Sequence, residues 1–127
     1  MTIGSIVTSN PTVTATGAVT TTTGLDISGI TGDYTVHLRI QALSTASGTP
    51  SVSIQLEDSV NAFTASRVVL AKETQGTIDT KSELHFSWRK YELPLLRCGT
   101  ASAVLRANVV ALGGTTPSLT LDSWIEY

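Results

Sequence analysis

The stretch from Ser102 to Tyr127 (SAVLRANVVALGGTTPSLTLDSWIEY) constrains this chain more than any other. Leu105, Ala107, Val109 and Ala111 alternate with Val104, Arg106, Asn108 and Val110. After Gly113-Gly114-Thr115-Thr116-Pro117, Leu119, Leu121, Ser123 and Ile125 alternate with Thr120, Asp122, Trp124 and Glu126. Side chains alternate faces along a strand, so a period of two marks strands with one buried face. The glycine-rich link between the runs predicts a closing hairpin. No part of the chain sustains the three- and four-residue spacing of an amphipathic helix.

The same period appears upstream. Tyr34 to Ser44 predicts a central strand with Tyr34, Val36, Leu38, Ile40 and Ala42 inward and Thr35, His37, Arg39, Gln41 and Leu43 outward. Ser51 to Glu57 predicts its hairpin partner across the loop TASGTP, with Val52, Ile54 and Leu56 inward. Thr12 to Thr23, Gly24 to Ile30, Ser66 to Ala71 and Ser82 to Arg89 read as further strands. Asp58 to Phe63 reads as a turn with a solvated Glu57-Asp58 before it. Lys72 to Lys81 reads as an exposed loop, and Pro94 in YELPLLRC as a bend or edge because it cannot donate to a ladder. These segments imply an all-β antiparallel β-sandwich, jelly-roll-like, of about eight strands. Residues 1–11 read as an N-terminal arm, and 12–127 as one sandwich domain.

Composition narrows the function. Of 127 residues only 14% are charged, and Thr and Ser supply much of the polarity. Thr is β-branched and carries a hydroxyl, which suits the wet side of a sheet. Net charge is −2, and the cations are scattered, with Arg89-Lys90 the densest group. Nucleic-acid binding would need a basic stripe or patch, so none is expected. The single cysteine, Cys98, allows no intrachain disulfide and reads as a small apolar filler. No apolar run approaches the length of a membrane span, and the N-terminus lacks a basic region followed by an apolar run. The expectation is a protein made in the cytoplasm without a signal peptide or membrane contact.

No constellation for catalysis stands out. His37 and His85 both fall on strand faces opposite the core, with nothing in the sequence to bring them together, so no metal site is expected. Glu57 and Asp58 point to opposite faces of one strand, a poor arrangement for an acid/base pair. No nucleophile elbow, phosphate cradle or calcium loop occurs, and neither an enzyme nor a cofactor is expected. The polar faces of the closing strands are more informative. His37, Arg39, Arg106, Asn108, Asp122 and Trp124 form the candidate interface, because Trp and Arg are frequent anchors of protein contacts.

Four stretches carry a resemblance. They are the Thr/Val-rich lead into Gly24-Leu25-Asp26-Ile27-Ser28-Gly29-Ile30-Thr31-Gly32-Asp33, and the strand Ser51 to Asp58 followed by a turn and Phe63. The others are Arg89-Lys90-Tyr91, and Gly113-Gly114-Thr115-Thr116-Pro117-Ser118 before a final apolar strand. In these the chain resembles the small β-sandwich decoration, or cement, proteins of tailed-bacteriophage heads. It departs from them at Val60-Asn61, where many relatives have a glycine-containing turn. The resemblance implies a structural virion protein without catalytic residues, located on the capsid surface. Such a protein binds the assembled shell as a homotrimer and bridges neighbouring major capsid proteins. Two other readings stay open: a carbohydrate-binding module stacking sugars on Trp124 or Trp88, and another virion part such as a tail or neck protein.

Overall fold

The structure is a computed structural model that describes residues 1–7, 11–19, 24–79 and 81–127. It contains strands β1 (Ile3–Val7), β2 (Thr12–Val13), β3 (Gly17–Ala18), β4 (Leu25–Asp26) and β5 (Thr35–Ser44). These are followed by β6 (Ser47–Ser59), β7 (Arg67–Gln75), β8 (Leu84–Arg89), β9 (Val104–Thr115) and β10 (Ser118–Glu126), with one 3-10 turn over Lys90–Glu92. One antiparallel sheet runs β1-β10-β5-β8, with β2 also on β10. The other runs β3-β9-β6-β7, with β4 also on β9. Apart from the β6–β7 hairpin, the long strands pass from one sheet to the other at each connection. That is the jelly-roll order within the expected all-β sandwich.

The two expected hairpins, β5 with β6 and β9 with β10, do not form. β5 pairs β10 from Ser44↔Ser118 to Thr35↔Glu126, and β6 pairs β9 from Ser47↔Thr115 to Ser59↔Val104. The result is one long antiparallel ribbon, 35–59 against 104–126, folded over itself at residues 45–46 and 116–117. A hairpin and this folded ribbon bury the same alternate residues, so the pattern along each strand does not choose between them. Gly114 serves the fold-over: its φ is +106°, and a Cβ there would run into the Thr45 side chain. Gly114→Ala is therefore expected to destabilise the domain by roughly 1–3 kcal/mol, the usual range for local backbone strain, measurable as a lower urea midpoint.

The core is aliphatic and lies between the sheets. Val36, Leu38, Ile40, Ile54, Leu56, Leu105, Ala107, Val109, Leu119, Leu121 and Ile125 are all buried. Two bulges alter the expected phase. Thr120 pairs Ala42 but Leu121 pairs Ile40, so Gln41 is the extra residue. Beyond it Leu43, expected outward, is fully buried and Ala42 is not. In β9 the register skips Val110, which is 39% exposed, and Leu112 rather than Ala111 turns toward the core. One inserted residue reverses every alternation after it.

Three other boundaries move. β6 starts at Ser47 and runs to Ser59, so TASGTP is largely strand and the turn follows Ser59. There the Ser59 hydroxyl accepts the Asn61 and Phe63 N–H groups and donates to the Ala65 carbonyl. The polar stretch 72–75 belongs to β7 rather than to a loop. Lys72 pairs Ile54, so it faces inward at the sandwich edge, where its Nζ lies 4.4 Å from the centre of the Phe86 ring on β8. An inward charge on an edge strand discourages sheet-to-sheet association. The described part of the expected arm includes β1, paired with β10, and Ile6 and Val7 are buried. The readings over 8–10 and 20–23 lie outside the described residues.

Candidate binding faces

The ladder geometry sorts the six candidate residues onto opposite sides of the molecule. Positions flanking the buried Val36, Leu38 and Ile40 place His37 and Arg39 on the outer face of the β1-β10-β5-β8 sheet. Asp122 pairs Arg39 and Trp124 pairs His37 on the neighbouring β10. Arg106 and Asn108 instead lie on β9, paired with Glu57 and Gln55 on the outer face of the other sheet. The expected shared face therefore divides into four residues and two. The cause is the missing β9–β10 hairpin, which places those strands in different sheets.

On the four-residue face, Arg39 holds Asp122 with two parallel hydrogen bonds, Nε to Oδ1 at 3.0 Å and Nη2 to Oδ2 at 2.7 Å. Such a fork is the strong form of the Arg–carboxylate contact. Its hydrogen bonds push the Arg39 guanidinium above its already high ordinary value. The same guanidinium stands 5.5 Å from the Trp124 ring centre. His37 stacks on Trp124 with ring centres 4.8 Å apart and planes 9° apart. Glu126 Oε1 accepts the Trp124 indole N–H at 3.2 Å. His85, on β8, approaches His37 to 2.9 Å between Nε2 and Nδ1. The two histidines that the sequence left apart are neighbours, because β8 pairs β5 with Arg39 opposite His85.

The opposite face carries a smaller cluster. Arg106 Nε donates to Glu57 Oε1 at 2.9 Å, and Asn108 Nδ2 donates to Glu57 Oε2 at 3.2 Å. The Arg106 guanidinium lies 4.1 Å over the Phe63 ring.

A third group sits at the end of the sandwich. Asp58, expected as a solvated carboxylate, pairs the inward Leu105 and is fully buried. It accepts hydrogen bonds from Arg67 Nε at 3.2 Å, from Arg97 Nη2 at 2.8 Å and from the Arg97 backbone N–H at 2.9 Å. Arg67 also reaches the Leu95 carbonyl. Asp58 thus fastens the 90–103 segment to the strands. Glu57, also expected in solvent, is buried under Arg106. What hid both burials in the sequence was that their guanidinium partners come from β7, β9 and a distant loop.

Near this end, burial pushes the Cys98 thiol up to about 11 and raises the Tyr34 phenol above its ordinary value. Both groups are held neutral in the fold, so the unfolded chain gives up its protons first as pH rises. Stability is then retained below the ordinary thiol value of 9.0 and lost as pH climbs toward about 11. Urea midpoints measured across that window should fall, and the fall should be shallower in Cys98→Ala.

The fold and its faces define an all-β sandwich with prearranged polar and aromatic surface clusters. Comparison of the chain with protein-family models, with curated proteins and with solved structures found no match.

Proposed function

We propose that this chain is a decoration, or cement, protein of a tailed-phage head. It binds the outside of the assembled shell and bridges neighbouring major capsid proteins, without catalysis and as a homotrimer. The observation that carries this reading is the Trp124–His37–Arg39–Asp122 cluster. Trp and Arg are the residue types that anchor protein contacts, and here both are already held in place by stacking and by a forked ion pair. Prearranged anchors lose little side-chain freedom on binding. A shell offers many copies of its partner, so a modest contact per subunit becomes tight attachment once a trimer engages several. The sequence resemblance supports the same reading.

The carbohydrate reading has less to stand on. Trp88 pairs Val36 and faces the sandwich interior, and Trp124 stacks on His37 rather than standing as a lone platform.

The first test is the sedimentation mass of the purified protein, expected to be that of a trimer; a monomer would count against the proposal. The second is binding to phage heads assembled without their decoration protein. Trp124→Ala is expected to weaken it by at least about thirtyfold, the loss of a contact worth about 2 kcal/mol. Asn108→Ala, on the opposite face, should leave it unchanged. The reverse pattern would move the binding surface to the β3-β9-β6-β7 sheet.

A further inference from the structure

His37 Nε2 is buried and has no hydrogen-bond partner among the described residues. Glu126 Oε1 lies 3.5 Å from it, just beyond a hydrogen bond, and already accepts the Trp124 N–H. The other ring nitrogen, Nδ1, is 2.9 Å from His85 Nε2. One hydrogen lies between those two nitrogens. If His37 supplied it, His37 would turn a bare lone pair toward the Glu126 carboxylate, which is repulsive. If His85 supplies it, His37 carries its hydrogen on Nε2, facing the carboxylate, and keeps a lone pair on Nδ1. A carboxylate behind one imidazole nitrogen and a lone pair on the other is the arrangement of a metal-ligating histidine with its outer partner.

We propose that His37 Nδ1 and His85 Nε2 form a two-imidazole chelate for a divalent first-row transition ion. The proposal is independent of the shell-binding reading. On binding, His85 moves its hydrogen to Nδ1, and both facing lone pairs go to the metal; with both rings neutral no proton is released. Metal–imidazole bonds of ~2.0–2.1 Å across the observed 2.9 Å separation subtend about 90° at the ion. That is a cis angle of square-planar or octahedral coordination and is narrower than a tetrahedron's. It favours Cu2+ or Ni2+ over Zn2+.

The ring centres are 5.1 Å apart, so the imidazoles now meet nearly end-on, and to keep the 2.9 Å separation each must turn its lone pair toward the ion. His85, exposed on the edge strand β8, has the greater room to turn. Among the described residues no third His, Cys, Asp or Glu completes a cluster, so the remaining coordination positions fall to water.

Trp124 is the reporter, because its ring stacks on His37 at 4.8 Å. In a tag-free Trp88→Phe background it is the sole tryptophan. Titration with Cu2+ or Ni2+ at neutral pH should quench its emission saturably at one equivalent. His85→Ala should abolish that saturable phase. Glu126→Gln should weaken binding by roughly 10- to 100-fold, as loss of a carboxylate partner does. Electron paramagnetic resonance of the Cu2+ form should show two nitrogen donors. Quenching that never saturates, that persists in His85→Ala or that is unchanged in Glu126→Gln overturns the proposal. A spectrum with one nitrogen donor or none does the same.

Discussion

Asp58→Ala is expected to lower the unfolding free energy by about 3 kcal/mol, the lower end of the cost of removing one member of a buried ion pair. The carboxylate itself has no access to water, and it satisfies two guanidiniums and one backbone N–H. The lower end applies because Arg67 and Arg97 remain 41% and 27% exposed and can be rehydrated once the carboxylate is gone. The Arg97 N–H would lose its partner, and the 90–103 segment its main fastening. A chain of this size is stable by only about 5–15 kcal/mol, so the loss should appear directly in a urea midpoint. Asp122→Ala is the control. That carboxylate also holds an arginine by a fork, but both members reach solvent on an outer face, where such a pair contributes at most about 1 kcal/mol. Equal losses in the two variants would mean that the buried site has no special weight.

Removal of residues 1–7 should be at least as costly. It takes away β1 with its ladder to β10, and it removes Ile6 and Val7 from the core. Burying an aliphatic side chain of that size contributes about 1.5–3 kcal/mol, so the two together contribute roughly 3–6 kcal/mol. The deletion would also uncover part of the β10 edge, a template for pairing with another chain. The expected result is a lower thermal midpoint together with concentration-dependent self-association in sedimentation. A freely extending arm would give neither. A truncated protein that kept its midpoint and its mass would show that β1 contributes nothing to the sandwich.

Much of the fold was legible in the residues. The inward sets Val36–Leu38–Ile40, Val52–Ile54–Leu56 and Leu119–Leu121–Ile125 follow from the alternation alone, and all are buried. That His37, Arg39, Asp122 and Trp124 point outward was legible too, because outward polar and aromatic positions can be read from the same alternation. Arg106 and Asn108 were grouped with them only through a hairpin that does not form. His85 was missed as their neighbour because a lone histidine on a strand says nothing about which strand lies beside it. The register of β8 on β5 brings it to His37.

The sequence by itself determined the class of secondary structure and, within each strand up to its first bulge, which side chains turn inward. Both depend on local sterics and on a period of two, and a strand carries that information alone. The tertiary structure decided the partners. It turned two expected hairpins into one folded ribbon, reversed the phase beyond Gln41 and Val110, and buried Asp58 between an arginine of β7 and one of the 90–103 segment. Each of these depends on which strand lies beside which. Alternative pairings that bury the same apolar face differ only in corner geometry, bulges and the pairing of the few charges that end up inside.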